Sequence, residues 1–188
     1  GEGIVLNEPS VVAIEKATPG KLNMASPGSG SSNHLTLEKF NNVAGTKLVH
    51  VPYKGGAPAT LDLLSGQIEF MFDPAPTAVP LVKMGRVRAL AVTTQSRSRL
   101  PGLDRLPTIA ETLVPGFDFG LWQAVYAPAR LPDAAVAALS AQMRDVLALD
   151  SVRAALADGG VETIAGSPED ADRVYRAEVA RLRERMPK

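Results

Sequence analysis

Short apolar runs alternate with helix-like stretches between residues 21 and 93. The strand-like runs carry β-branched or aromatic residues, whereas the stretches between them place apolar residues three or four positions apart. The pattern predicts strands at 21–25, 47–51, 67–72 and 87–93, and helices at 34–45, 59–66 and 77–85. A glycine closes each predicted helix. Strands separated by such helices indicate βαβ units, and therefore an α/β fold with a mainly parallel sheet flanked by helices.

The pattern changes after residue 94. Residues 94–116 are rich in proline and turn residues, with room for one short helix, and residues 117–128 look like a longer strand. The last sixty residues are mostly helical, and we predict helices at 133–149 and 151–158, a brief strand at 161–165, and a final helix after Ser167. Ser167 is typical of a helix N-cap and Pro168 of the first helical position.

Composition excludes several classes of protein. The chain has 188 residues, with 20 basic and 20 acidic side chains and a net charge of zero. This balance argues against a uniformly basic nucleic-acid surface and against a polybasic membrane-surface protein. With no cysteine and two histidines, we expect no thiolate or histidine-rich metal site and no cofactor. We also expect no membrane span and find no signal-peptide pattern.

The segment SPGSGSSNHL (26–35) is the strongest candidate for a ligand site. Its glycines allow the backbone to approach a ligand closely, and the helix that follows presents unpaired N–H groups and a positive dipole end. Serine hydroxyls add further donors, so the segment can bind an anion without a charged side chain. An ordinary glycine–serine turn is the alternative. The candidate residues are Ser26, Gly28, Ser29, Gly30, Ser31, Ser32 and His34.

Two further loops also follow predicted strands. VPYKGGAPA (51–59) contributes Tyr53, Gly55 and Gly56, and FMFDPAP (70–76) contributes Asp73. Each has a plainer interpretation: a βα turn with a solvated lysine for the first, and a helix N-cap or Asx-turn for the second. In a parallel sheet all three loops emerge at the same edge, where open α/β sheets bind ligands. We therefore predict that they line one pocket.

The motifs of common enzymes and nucleotide-binding proteins are missing. The first loop lacks the third glycine of a dinucleotide fingerprint and the Gly-Lys-Ser/Thr of a P-loop. No G-x-S-x-G elbow is present, and His50 is interpreted as a packed or surface histidine. An enzyme would need Ser29 or Ser31 to be activated by His34, the only histidine near them in sequence. We predict that the chain is not an enzyme and has no catalytic residues.

The order of several motifs resembles a known receptor family. PGKLNMASPGSGSSNHLTLEKF, VHVPYKGGAPATLDLLSGQIEFMFD, VPLVKMGRVRALAVTT, RSRLPGLDRLPTIAET and APARLPDAAVAAL are similar to the tripartite tricarboxylate transporter substrate-binding proteins. These are the TctC or Bug-type periplasmic receptors. The similarity covers residues 18–188, and VPYKGG followed by D-L-L-x-G-Q-I is quite specific.

The resemblance implies a type II periplasmic-binding-protein fold with two α/β lobes and a cleft. Residues 20–128 would form the second, ligand-binding lobe, and residues 1–19 and 129–188 would be segments of the first lobe. The family binds a small organic anion, commonly a carboxylate or dicarboxylate, and delivers it to membrane transporter subunits. It grips one carboxylate with a strand–turn–helix loop from each lobe, and the second-lobe loop matches Ser26 to Ser32.

One departure from the family concerns length. Family members carry roughly a hundred more residues upstream, including a V-P-F-x-P-G-G-x-x-D loop that nothing in residues 1–20 matches. We expect either a truncated product or a naturally short relative that covers its exposed C-terminal helices by self-association.

The sequence leads to two hypotheses about function. The first is a periplasmic solute-binding protein for an organic acid, with the backbone N–H groups of 29–32 holding one carboxylate. Asp73 would then select the ligand rather than anchor it. The second is a sensing or interaction module that uses the same lobe without transport.

Overall fold

The computed structural model describes residues 8–185. Residues 1–7 and 186–188, which the sequence analysis placed in first-lobe segments, lie outside the described residues. The chain divides into two compact units, Gly1–Leu121 and Trp122–Lys188. The first unit is α/β and the second is helical, so the predicted fold class is confirmed.

The first unit is built on a three-stranded parallel sheet. Its elements are α1 (Glu8–Ala17), β1 (Asn23–Ser26), α2 (Ser32–Ala44), β2 (Val49–Pro52), α3 (Gly56–Ser65), β3 (Phe70–Met71), α4 (Ala75–Lys83) and α5 (Ile109–Thr112). The strand order is β2-β1-β3. Asn23 aligns with Val49 and Met24 with Phe70. The central strand β1 therefore directs the loop that follows it to the middle of one sheet edge.

The core of this unit joins the sheet to α2 and to the segment around α5. Met24 and Leu37 are fully buried, and Phe40 packs at 5.6 Å from the ring of Phe72 and 6.3 Å from that of Phe117. Val12 of α1 belongs to the same cluster. The unit therefore includes α1, and the assignment of residues 1–19 and 129–188 to a first lobe stays a prediction.

Glycine ends the predicted helices where the backbone turns left-handed. Gly45 follows α2 with φ 64° and donates its N–H to the carbonyl of Asn41. Gly66 plays the same part after α3, with φ 76°. α4 begins at Ala75, before the predicted start, because Pro80 lies far enough inside the helix for the first turn to form ahead of it.

Three predicted strands are wrong, and two of them lie before residue 129. Within the described residues, 87–93 forms only an isolated bridge between Val92 and Thr108, and 117–128 forms no strand. Phe119 N–H donates to the carbonyl of Thr93 at 2.8 Å, but the contact is not extended into a ladder. The apolar residues of these two segments led to the strand predictions. In the described part of the chain, no neighbouring segment pairs with either of them over more than one or two residues.

The second unit contains α6 (Asp133–Ala148), α7 (Asp150–Asp158) and α8 (Pro168–Arg185). α6 and α7 are in contact. Ser167 caps α8 as predicted: its hydroxyl accepts from the N–H of Asp170, and the Asp170 carboxylate accepts from the N–H of Ser167. The predicted strand 161–165 is not formed, and Ala165 has a φ of 50°.

Candidate functional site

Three loops meet at the carboxyl edge of the parallel sheet. Residues 27–31 join β1 to α2, 53–55 join β2 to α3, and 72–74 join β3 to α4. Because the three strands are parallel, the N-terminus of each following helix lies at this same edge. The structure therefore brings together the three loops that the sequence analysis proposed for one site.

The loop 27–31 leads directly into the first turn of α2 and is called the anion loop below. Gly28 has φ 149° and Gly30 has φ 81°, which are conformations that side chains disfavour. Ser31 is the N-cap, with its hydroxyl accepting from the N–H of His34 at 3.4 Å. The N–H groups of Ser32 and Asn33 have no acceptor within the helix. Backbone donors and the helix dipole thus point out of the sheet edge.

The second loop is bonded to the anion loop through backbone atoms. Tyr53 N–H donates to the carbonyl of Ser26 at 2.9 Å, and Gly55 N–H donates to that of Pro27 at 3.0 Å. Gly55 precedes α3 with φ 116°, so a side chain at this position would strain the turn. The Tyr53 hydroxyl donates to Asp62 at 2.6 Å, which raises the pKa of Tyr53. That hydroxyl is held by α3, and Tyr53 packs against the cluster formed by Ala25, Ala59 and Ile68.

The third loop is tied to α2 by Asn33. This side chain is buried, and its amide N–H donates to the carbonyl of Phe72, while its amide oxygen accepts from the Ser32 hydroxyl at 3.2 Å. Phe72 is followed by Asp73, whose pKa is raised by burial and lowered to a smaller extent by a hydrogen bond from Thr77. Asp73 lies in the loop between β3 and α4, at the same edge of the sheet.

Two histidines stack beside the anion loop. The rings of His34 and His50 lie 3.9 Å apart with an interplanar angle of 11°. His34 Nδ1 accepts the N–H of Gly30 at 3.0 Å, and His50 Nε2 lies 2.5 Å from the hydroxyl oxygen of Ser26. Burial, and then the neighbouring His34, lowers the pKa of His50. His34 therefore contacts the anion loop at Gly30, and His50 contacts Ser26, the residue just before the loop.

The Ser26 hydroxyl has three hydrogen-bonding neighbours. Its oxygen lies 3.0 Å from the carbonyl of Gly28 and accepts from the N–H of Gly28 at 3.1 Å. His50 Nε2 lies 2.5 Å from the same oxygen, and the tautomer of His50 decides which of the two groups donates. Ser26 is also fully buried. These contacts hold the loop in place around a buried hydroxyl.

The predicted residues divide into three groups by exposure. Ser29, Gly30 and Gly56 are exposed, whereas Ser26 is buried. The others are half-buried: Gly28, Ser31, Ser32, His34, Tyr53, Gly55 and Asp73. The N–H of Gly30 is engaged by His34 and that of Ser31 by the carbonyl of Gly28 at 3.2 Å, which leaves Ser32 and Asn33 as the free helical donors.

Sequence reasoning missed two residues of this site, His50 and Asn33. His50 was interpreted as an ordinary strand residue, yet the parallel register places β2 beside β1, and His50 lies opposite Met24, two residues before Ser26. Asn33 carries a weak signal, a buried polar residue in the first turn of an amphipathic helix. Knowledge of how the three strands align would have identified both residues as part of the site.

Neither a metal centre nor a membrane-spanning helix is present among residues 8–185. No group of three or more metal-ligating side chains occurs there. No helix in that range is both long and apolar enough to cross a bilayer.

A parallel sheet with glycine-rich loops and helix N-termini at its carboxyl edge defines a ligand-binding α/β protein. Solved periplasmic binding proteins share this fold. R. palustris Rpa4515 with adipate superimposes with a TM-score of 0.88 at 36% identity, covering 97% of this chain and 60% of that one. The periplasmic binding protein BugD gives 0.84 at 29% identity, covering 97% and 61%. MatC (Rpa3494) from Rhodopseudomonas palustris with bound malate gives 0.78 at 28% identity, covering 93% and 60%.

The family is equally clear. Residues 7–186 match the tripartite tricarboxylate transporter family receptor, TctC, and the chain belongs to this family. A UPF0065 protein from the tcbD-tcbE intergenic region of Pseudomonas sp. strain P51 is 38% identical over 167 residues, or 88% of this chain and 49% of that protein. BugT of Bordetella pertussis is 31% identical over 85% of this chain and 48% of its own. The chain thus spans about half the length of these relatives.

Proposed function

We propose that the chain is an extracytoplasmic solute-binding protein that captures a small carboxylate or dicarboxylate for a tripartite tricarboxylate-type transporter. One observation carries the proposal: the anion loop presents the free N–H groups of Ser32 and Asn33 at the edge where all three βα loops meet. It follows that the protein works by binding rather than by catalysis, in the periplasm, with membrane transporter subunits as its partners.

The anion loop suits a carboxylate because its donors are neutral and fixed. A carboxylate oxygen that accepts backbone N–H groups forms charge-assisted hydrogen bonds, about twice as strong as neutral ones. The dipole of α2 contributes roughly 0.3–1 kcal/mol more at its N-terminus. A neutral site binds an anion without the desolvation cost of a buried lysine or arginine, and it releases the ligand readily to a transporter.

The relatives support the same ligand class. Rpa4515 is described with adipate and MatC with malate, and both ligands are dicarboxylates. Asp73 lies at the β3 side of the edge, where its negative charge would disfavour a second carboxylate placed next to it. We therefore propose that Asp73 selects among ligands in one of two ways. It repels a second carboxylate, or it accepts a hydrogen bond from a ligand hydroxyl.

The alternative of a hydrolase fits the contacts less well. Ser26, the serine in contact with His50, is fully buried, and His34 accepts from Gly30 rather than from Ser29 or Ser31. We therefore favour binding over nucleophilic catalysis by a serine. Self-association through the C-terminal helices has no support from the relatives and stays a prediction.

Thermal unfolding against a panel of mono-, di- and tricarboxylates tests the proposal. A ligand at about a hundred times its Kd stabilises by roughly 2.7 kcal/mol, which corresponds to a rise of about 5–10 °C in Tm for a chain of this size. We expect such a rise for one class of acid. A panel in which no acid raises the Tm would contradict the proposal.

Two matched glycine variants locate the site. Gly30→Asp introduces a negative charge into the anion loop at φ 81°, and Gly85→Asp introduces the same charge after α4 at φ 66°. A Cβ at either position meets no atom within 4 Å, so the backbone strain is similar. We expect Gly30→Asp to abolish the ligand-induced shift and Gly85→Asp to retain it. Equal losses would place the ligand elsewhere.

A further inference from the structure

The stacked histidines occupy a donor that the anion loop would otherwise offer to a ligand. A backbone N–H only donates, so the 3.0 Å contact from Gly30 requires a bare lone pair on His34 Nδ1. The ring proton of neutral His34 is then on Nε2, which faces the Glu38 carboxylate at 3.5 Å. In this state the imidazole nitrogen sits where a carboxylate oxygen would accept from Gly30.

Protonation reverses the role of that nitrogen. When Nδ1 carries a proton, it can no longer accept from Gly30, so the two groups become donors that move apart. A carboxylate oxygen that enters between them accepts from both, with the charge of the imidazolium added. Gly30 is exposed, so a ligand reaches it from solvent. The geometry therefore favours a ligand and a proton together.

We propose that His34, stacked on His50, couples carboxylate capture to proton uptake, which makes affinity rise as the pH falls. The inference rests on the proposed function and concerns the regulation of that same site. The proton comes from solvent, binds His34 Nδ1, and returns to solvent when the ligand leaves. No covalent bond forms or breaks in this cycle.

The charged groups around the pair favour one proton rather than two. From α2, Glu38 faces His34 and stabilises its positive charge. From β2, His50 stacks on the same ring, so a second positive charge at 3.9 Å would be repelled. From β1, Ser26 contributes an uncharged hydroxyl.

Two other acids lie in the neighbouring loops and α3. Asp62 is bound by the Tyr53 hydroxyl, and Asp73 lies on the β3 side of the central strand. An anionic ligand beside Asp73 also disfavours its charged form, so this carboxyl could take up a proton as well. The Asp73→Asn variant therefore distinguishes His34 from this carboxyl.

Isothermal titration with adipate tests the coupling on the intact chain. Adipate is titrated between about pH 6.5 and 8.5, a range in which histidine changes charge, in phosphate and in Tris. These buffers differ in ionisation enthalpy, so the difference in observed heat gives the protons taken up. We expect an average uptake of about 0.2–0.5 proton per ligand across this range, which corresponds to an affinity about threefold to tenfold higher at the lower pH.

Three variants show which residue causes the pH dependence of affinity. His34→Gln keeps a hydrogen-bonding side chain but removes the titration, so binding should persist with the pH dependence lost. His50→Phe keeps the stacked ring, and Asp73→Asn removes the nearby acid, so both should keep the dependence.

The outcomes separate this inference from the proposed function. Affinity that is equal at both ends of the pH range, without proton uptake, would overturn the coupling and leave the receptor function intact. Full pH dependence in His34→Gln would also overturn it. If no acid of the mono-, di- and tricarboxylate panel binds at any pH, the proposed function fails and the coupling fails with it.

Discussion

Asn33 joins the anion loop to the β3 loop, and its removal is expected to weaken both the fold and the ligand site. The side chain is only 4% exposed, and its amide donates to the carbonyl of Phe72. Asn33→Ala leaves that carbonyl without this donor and frees the Ser32 hydroxyl that the amide oxygen now holds. The first turn of α2 then loses its lateral attachment to the sheet edge.

The cost follows from the buried contact. A buried polar group left without its partner costs about 1–3 kcal/mol. For a chain of 150–250 residues each kcal/mol lowers the Tm by roughly 2–4 °C, so a loss near 2 kcal/mol gives a drop of about 4–8 °C. Because Ser32 and Asn33 supply the free N–H donors, carboxylate affinity should fall roughly tenfold, equivalent to about 1.4 kcal/mol.

Asn41 provides the matched control at the other end of the same helix. Its amide donates to the carbonyl of Leu48 at 3.0 Å, and its oxygen accepts from Leu48 N–H at 3.0 Å and from the Thr46 hydroxyl at 2.8 Å. Asn41→Ala should therefore lower the Tm at least as much as Asn33→Ala. It should leave affinity for adipate unchanged, because these contacts lie at the opposite edge of the sheet.

Calorimetry gives the Tm of both variants, and isothermal titration gives their affinity for the ligand. The reasoning is refuted if Asn33→Ala melts with the wild-type Tm, since the amide would then contribute nothing to the fold. It is equally refuted if the two variants lose affinity in parallel, because the loss would then follow global stability rather than the position of the α2 N-terminus.

Three further predictions follow from single contacts. Gly45→Ala should lower stability by about 1–2 kcal/mol in chemical denaturation because of its left-handed φ of 64°, and Gly45→Asn should lose less. The hydrogen bond to the Thr108 N–H, followed by Arg97, lowers the pKa of Glu111. Its contribution is present at neutral pH and lost as the pH falls through the lowered pKa, so Glu111→Gln should be less sensitive to acid below about pH 4.3 in thermal melts. Burial raises the pKa of Asp73, so its charge is unfavourable at neutral pH. Asp73→Asn should keep the Tm or raise it, and titration should show dicarboxylates binding a few-fold more tightly. Weaker binding of dicarboxylates by Asp73→Asn would show instead that Asp73 accepts a hydrogen bond from the ligand.

Much of the α/β unit could be predicted because its signals are local. Gly45 and Gly66 marked helix ends from their neighbours alone, and the structure places both in left-handed conformations. Ser167 and Pro168 marked the start of α8 in the same way. The convergence of the three loops needed only the inference that the strands are parallel.

The rest depends on contacts between residues distant in sequence. Ser26 meets His50 across 24 residues, and Asn33 meets Phe72 across 39. No local pattern specifies such a register. The final helix shows the same limit at short range: Arg173 lies one turn after both Glu169 and Asp170, and it bonds to Asp170 at 2.5 Å. The alternative i,i+3 partner is just as close on a helix surface.

The predicted strands at 87–93 and 117–128 failed for a related reason. An apolar run shows that a segment is to be buried, but it does not show what covers it. Val92 and Thr93 bond to Pro107, Ile109 and Phe119 through single contacts, and a ladder requires successive residues of two segments in register.

The central claim is that a carboxylate binds at the N-terminus of α2, and amide NMR tests it directly. The ¹⁵N-labelled chain is titrated with adipate and with malate while the backbone amide signals are followed. The account predicts that the amides of Gly30, Ser32 and Asn33 shift together and saturate at one Kd, with those of α6–α8 unchanged. Saturable shifts confined to α6–α8, or no saturable shift with either acid, would contradict it.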